Sequence, residues 1–327
     1  MEFGLSEEQQ ELAATVRAVL AKRADSAAVR AAAESEGGYD AALWELLCEQ
    51  IGVAALGIPE EYDGAGFSLF ESLIALEEVG RSLAPSPLLS SLIAAEALLA
   101  GADEEAKRRL LPRIAAGELA AFVDGDAPAL FADRATVLVA ATERGLVELD
   151  ADNVQRTWRP SMDQTIRLAV VDTDGGTVIG DADLARDRAH LVGAVGAAAL
   201  QAGCAARALE MTVGYSLERV QFGRQIGSFQ ALKHRMADML VLVEMSRSAS
   251  WAASYAVSAG ASNAEELAHV AKSYCSDALD HIAGETVQLH GGIAITWEHD
   301  AQLVFKRAHA LSQLFGQAHQ HRALIEL

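Results

Sequence analysis

The stretch SLERVQFGRQIGSFQALKHRMADM, residues 216–239, sets Arg219 and Arg224 on either side of a Phe222-Gly223 turn and then opens a periodic segment. Leu232, Met236, Met239, Leu240 and Val243 recur at intervals of three and four, which predicts a helix from Phe229 with one apolar face. Ser228 is its expected N-cap, and Gln230 lies in its first turn. Free backbone N–H groups and the positive dipole end attract an anion, and an arginine adds a two-pronged donor. Arg219, Phe222 and Gln230 could thus hold a diphosphate and something flat. On spacing alone, a solvated Arg219 and a core Phe222 also fit.

Composition bounds what surrounds this stretch. The chain has 327 residues, 51% of them apolar and 22% charged, enough for two or three domains and a large core. Six prolines and abundant alanine favour helix. A net charge of -20 leaves no basic face for nucleic acid. Cys48, Cys204 and Cys275 are far apart and show no metal or redox spacing, as expected for reduced core thiols of a cytoplasmic protein. The start, MEFGLSEEQQEL, does not read as a signal peptide. No apolar run reads as a membrane span.

Three regions follow. Residues 1–117 read as an N-terminal helical domain. Its first helix has Ser6 as N-cap, Gln9 as capping-box partner and Leu12, Val16, Val19 and Leu20 as an apolar stripe; others are expected at 40–50, 69–81, 86–100 and 104–116. Residues 118–182 carry short β-type runs, TVLVAA, GLVELD and IRLAVVD, with a turn at Asp174-Gly175-Gly176. Residues 183–327 are helical again, with helices expected at 194–217, from 229, at 264–289 and at 297–326, the last two separated at Gly291-Gly292. Four long helices with short loops imply an antiparallel bundle. The Ala/Gly-rich run GAVGAAALQAGCAARAL, 193–209, allows neighbouring helices to approach closely.

Five stretches in one order resemble the acyl-CoA dehydrogenase family: FGLSEEQQEL (3–12), IGVAALGIPEEYDGAGFSLFESLIALEEVGRSLA (51–84), LLPRIAAGELAAF (110–122), ERVQFGRQIGSFQALKHRMADM (218–239) and QLHGGIAITWEHD (288–300), the last similar to a QxxGGxG signature. The resemblance implies a mostly α fold: an N-terminal helical domain, a middle β-domain and a C-terminal four-helix bundle. It also implies FAD-dependent 2,3-dehydrogenation of an acyl-CoA thioester. Arg219, Gln221, Phe222 and Gln230 would meet the diphosphate and adenine side of FAD held mainly by a neighbouring subunit. Gln288, Gly291 and Gly292 would meet the same cofactor.

The sequence departs from the family where the chemistry belongs. The base glutamate of an IYEGT-like motif falls on Phe315, in Gln313-Leu314-Phe315-Gly316-Gln317. The alternative base position on the first bundle helix is Gly193, followed by Ala194. Neither Phe nor Gly accepts a proton. The β-domain is short, and AAFVDGDAPALFADRA, 120–135, lacks the Thr-Glu-Pro and Gly-Ser-Asp elements of the flavin-ring segment. Asp187 and Glu210 are the candidate substitutes, with helix-surface carboxylates as the plainer reading.

The resemblance therefore implies a non-catalytic half-site subunit with a larger homologous partner, as two small and two large chains sharing FAD. Such pairs act on steroid-derived CoA esters in bacteria. A flavin-free scaffold, or a self-sufficient dehydrogenase with a relocated base, are the competing expectations. His299, His309, His319 and His321 lack metal-ligand spacing and are expected at a surface or interface. Gly64-Ala65-Gly66 has no preceding strand, and there is no GxSxG elbow. Trp297-Glu298-His299-Asp300 reads as a helix start.

Overall fold

A computed structural model describes residues 4–325. Six helices come first: α1 (Glu7–Arg23), α2 (Ser26–Glu34), α3 (Ala41–Gln50), α4 (Leu69–Ser82), α5 (Leu88–Gly101) and α6 (Glu104–Ala115). Their starts follow from side-chain caps. Ser6 with Gln9 and Ser68 with Glu71 form capping boxes, and Asp25, Asp40 and Asp103 each accept a backbone N–H from the first turn.

Seven strands follow: β1 (Ala120–Asp124), β2 (Ala129–Leu130), β3 (Val137–Thr142), β4 (Gly145–Glu148), β5 (Arg156–Arg159), β6 (Leu168–Val171) and β7 (Thr177–Gly180). They form a four-stranded sheet in the order β1-β3-β4-β7 and a three-stranded one in the order β2-β6-β5. Among the described residues only β1 and β3 run parallel.

The rest is α7 (Ala182–Glu218), a hairpin of β8 (Val220–Gln221) and β9 (Arg224–Gln225), α8 (Gln230–Ser258), α9 (Ala264–His290), α10 (Ala301–Gln313) and α11 (Ala318–Ala323). The expected mostly helical architecture, with a small β region in the middle of the chain and long helices after it, is present, with several local corrections. The helix expected at 194–217 starts twelve residues earlier, because Asp181 caps Asp183 and Leu184 and the polar run after it contains no breaker. It also has the length and apolarity to cross a membrane, contrary to the sequence reading, yet most of its apolar part is buried inside the protein. Ser228 is not the N-cap of α8. It ends a 3-10 turn (Ile226–Ser228) and donates its hydroxyl to the Gln225 carbonyl, so Phe229 takes the cap position. The single helix expected at 297–326 is two. Trp297–Asp300 precede it as a turn, and Phe315 and Gly316, both at positive φ, break it. Residue 326 lies outside the described residues. Helix α2 and strands β1, β2, β5 and β7 are further elements that the sequence reading does not assign.

The spine of the molecule is α7, packed against α4 and α5 on one side and α8, α9 and α10 on the other. Glycines let its backbone touch its neighbours. A Cβ on Gly203 would overlap the Glu77 carbonyl and sit 2.8 Å from the Arg81 nitrogen; a Cβ on Gly80 would sit 2.7 Å from Leu200 Cα. The same arrangement seats the end of α5 on the start of α7, where a Cβ on Gly101 would overlap the Asp181 carbonyl.

Two buried polar devices tie distant segments together. Arg307 of α10 donates from Nε to Asp163 Oδ2 (3.1 Å) and from Nη2 to the Leu83 carbonyl (3.1 Å) and Thr165 Oγ1, joining the β region to the end of α4. Lys272 of α9 is fully buried and has no carboxylate partner among the described residues; its Nζ donates to the Gly316 carbonyl (2.8 Å) and Ser276 Oγ (3.1 Å). Burial pushes this ammonium down to about 8.

Two outcomes follow from this packing. Gly203→Ala drives a methyl into the α4 backbone and should cost about 1–3 kcal/mol or more in urea unfolding. Gly214→Ala, also in α7 but with open space above it, should stabilise the isolated chain by about 0.5–1 kcal/mol. The unfolded lysine titrates near 10.5 and the folded Lys272 near 8. Between those values the unfolded chain holds more protons, so stability contributed by this group rises with pH; below about 8 the buried charge costs on the order of 3 kcal/mol. Wild type should therefore gain stability relative to Lys272→Met as pH rises from about 8 to 10.5. A pH-independent difference between the two would show that the ammonium is not desolvated.

Candidate functional site

One end of the bundle gathers the sequence-derived cofactor residues. Helix α7 stops at Glu218, with Arg219 in extended conformation as its C-cap. Strands β8 and β9 pair Gln221 with Arg224, leaving a two-residue loop of Phe222 (φ 53°) and Gly223 (φ 76°). Positive φ at both central residues is the tight hairpin geometry that matches strand twist. Phe222 is 93% exposed and so is no core residue; it meets Phe229 edge-on at 6.2 Å. The Arg224 guanidinium covers the other aromatic, 4.0 Å from the Phe229 ring centre. Gln221 bonds its neighbour, the Val220 carbonyl, and Gln230 is the exposed first residue of α8.

The end of α9 lies alongside. Tyr215, one turn before Arg219, stacks on His290 at 4.5 Å, and Arg235 of α8 pairs with Glu285 of α9 (2.8 Å). Gln288 is exposed on the last turn, Gly291 caps the helix at φ 66°, ψ -146° and begins a 3-10 turn (Gly291–Ile295), and Gly292 is its second residue. The third glycine of QxxGGxG is replaced by the buried Ala294. His290 donates Nδ1–H to the Thr286 carbonyl (2.7 Å); burial pulls it and His299 below the usual imidazole range, so the stack is neutral near pH 7.

This end suits the diphosphate of a dinucleotide. The Arg219 guanidinium is exposed and has no ion pair among the described residues. Nothing lies within 4 Å of a Cβ built on Gly291 or Gly292, so a phosphate or ring can approach the backbone.

The two positions that the resemblance gives to the base meet elsewhere, in the first half of α7. A Cβ on Gly193 would sit 2.5 Å from Phe315 Cε1, so the ring fills the volume that glycine leaves. His321 donates Nε2–H to the Phe315 carbonyl (2.7 Å), and Lys272 holds the next carbonyl. His321 is thus buried rather than at a surface, and its other nitrogen faces His269 (2.9 Å). His309 pairs with Asp280 (2.7 Å). Among the described residues no group of three or more His, Cys, Asp or Glu could hold a metal ion. Burial pushes all three cysteine thiols up to about 12, which makes them poor nucleophiles.

Beside Phe315 lies a mainly apolar cavity of about 320 Å³, walled by Ile93, Phe122, Leu130, Ala189 and Leu314. At its rim Asp124 accepts from Arg186 Nε (2.8 Å) and His190 Nε2 (2.8 Å). This trio escaped the sequence reading because β1 did. The only signal was Arg186 and His190 one turn apart on α7. Of the substitutes that were considered, Asp187 is exposed away from the cavity and Glu210 pairs with Arg81.

Family models for the acyl-CoA dehydrogenase N-terminal and C-terminal domains match residues 6–118 and 187–326. The acyl-CoA dehydrogenase IpdE2 of Mycolicibacterium smegmatis is 44% identical over 322 residues, covering 98% of this chain and 99% of that protein. IpdE2 of Mycobacterium tuberculosis is 46% identical over 312 residues, covering 94% and 93%. Among solved structures, a variant of the Tcur3481-Tcur3483 steroid ACAD superposes with a TM-score of 0.87 at 28% identity, covering 98% of this chain and 96% of that one. The ChsE4-ChsE5 complex of Mycobacterium tuberculosis gives 0.89 at 23%, covering 99% and 97%. With both domain models matched in order and relatives this similar end to end, the chain belongs to the acyl-CoA dehydrogenase family.

Proposed function

We propose that this chain is the half-site subunit of a cytoplasmic, FAD-dependent acyl-CoA dehydrogenase. It clamps the ADP part of a flavin held with a larger homologous chain. The observation that carries this reading is a separation along one helix. Gly193 and Arg219 are 26 residues apart on α7, roughly 39 Å at about 1.5 Å per residue. A single flavin is far shorter. Its diphosphate at Arg219 and its ring beside Gly193 of the same chain are mutually exclusive, so an Arg219 clamp serves a neighbour.

In this arrangement Arg219, Gln221, Phe222 and Gln230 grip the diphosphate and adenine side. Gln288, Gly291 and Gly292 close over it from the next helix junction. FAD supplies the hydride acceptor for 2,3-dehydrogenation when bound. The α-proton passes to a carboxylate of the partner, because Phe315 and Gly193 have none to offer. A relocated base in this chain has one obvious candidate, Asp124, but Arg186 and His190 already occupy both of its oxygens. The steroid character of the Tcur3481-Tcur3483 structure supports a bulky, steroid-derived acyl-CoA as substrate, and its paired name supports a second chain as partner; the assembly we propose has two small and two large chains. The working division of the chain is 1–117 (helical), 118–182 (shortened β) and 183–327 (bundle, cofactor contact and assembly).

Co-expression with a full-length homologue should give a yellow complex that oxidises acyl-CoA, whereas this chain alone should not. Arg219→Ala should weaken flavin retention by roughly 10- to 100-fold, the loss of a charge-assisted hydrogen bond of about 1.5–3 kcal/mol. The check is visible flavin absorbance per complex after gel filtration. An intact complex with its full flavin would instead identify a scaffold that only stabilises its partner.

A further inference from the structure

The turn between α10 and α11 is built to hold an aromatic ring against α7. Phe315 sits at φ 56° and Gly316 at φ 96°. A left-handed backbone is strained for phenylalanine, so surrounding contacts must impose it. Those contacts are the His321 bond to the Phe315 carbonyl and the Lys272 bond to the Gly316 carbonyl. Lys272 is a buried ammonium with no carboxylate partner among the described residues, a costly residue at which to anchor a loop.

The receiving position is equally specific. Gly80, Gly101 and Gly203 give up their side chains to let backbone approach backbone, whereas Gly193 makes room for a side chain, the Phe315 ring, as Gly196 does for Leu89. The ring then forms one wall of the apolar cavity between α5, the β1–β2 segment and α7. At about 320 Å³ that cavity is at the lower end of the range for ligand pockets.

We propose that Phe315 is a steric plug: seated on Gly193, it shortens the cavity so that an acyl thioester cannot enter this chain's own site. This goes beyond the absence of a base. A subunit lacking only its base would still bind acyl-CoA unproductively; a plugged one leaves all of it to the partner. The structure thus assigns Lys272 and His321 the task of holding the plug.

The experiment uses the full chain without flavin, titrated calorimetrically with octanoyl-CoA, with CoA alone as the control for nucleotide binding elsewhere. Wild type should show no saturable binding that depends on the acyl group. Phe315→Gly relieves the left-handed strain while deleting the ring. It should gain one acyl-dependent site per chain, at least about tenfold tighter than any wild-type binding. Lys272→Met, which frees the turn but keeps the ring, should gain less. Gly193→Ala checks the contact itself: it should lower the melting temperature in wild type and raise it modestly in the Phe315→Gly background, where only the helix preference of alanine is left. Acyl-dependent wild-type binding equal to that of Phe315→Gly would overturn the plug. So would a folded Phe315→Gly with no gain. Neither result depends on flavin, so the proposal can fail while the Arg219 clamp stands, and the reverse.

Discussion

The contact on which the molecule depends is the crossing of α4 and α7, where Gly80 and Gly203 each admit the backbone of the opposite helix. Interior packing is dense enough that one added methyl at such a point moves whole helices. The crossing fixes α7 against the N-terminal helices, and α8, α9 and α10 are then packed onto its other side. The position of Gly193 over the Phe315 turn, and that of Arg219 at the bundle end, are both consequences of where this one helix is pinned. The buried Arg307–Asp163 pair adds a second constraint, because it holds the small β region to α10 and to the last carbonyl of α4. Breaking one partner would strand a charge in the interior, which makes the pair a strict requirement rather than a generous source of stability.

Along α7 the chemistry is graded. Arg186 and His190 near its start engage Asp124, Gly193 accepts a ring, the middle is small residues against other helices, and Arg219 ends it as a cation with no ion pair among the described residues. A continuous helix keeps these stations far apart, so no single small ligand can use both ends. What one chain offers at its exposed end and what it has closed in its interior are therefore independent properties, and the second can be lost without disturbing the first.

Much of this was legible in the sequence, and what was not has identifiable causes. Long elements with caps or sustained periodicity, such as α4 after Ser68 and α9, were readable because local chemistry and burial agree there. Strand β1 was missed because Ala120, Ala121 and Phe122 alternate too weakly, and with it went the Asp124 cluster. The break at Phe315 was invisible because phenylalanine is no helix stop; tertiary bonds from Lys272 and His321 impose it. Ser228 was misassigned as a cap because a 3-10 turn consumed its hydroxyl. The loss of a base at Phe315 and Gly193 could be read from residue types alone. That the two positions touch required coordinates, since 122 residues separate them.

The helix glycines carry a final argument about the open end. Glycine within a helix costs about 1 kcal/mol against alanine, so each needs a compensating contact. Gly80, Gly101, Gly193, Gly196 and Gly203 have one inside the chain. Gly214 in α7 and Gly284 in α9 do not; nothing lies within 4 Å of a Cβ at either. Both sit within two turns of the Arg219 and Gly291 termini, and Leu217, Val220 and Phe222 beside them are more than half exposed. Small residues without neighbours and large apolar ones without cover, side by side, are poor design for a free surface and mark this end as one suited to contact with another molecule. The end where Arg219 has no ion pair among the described residues is thus also the end where helix glycines lack a compensating contact.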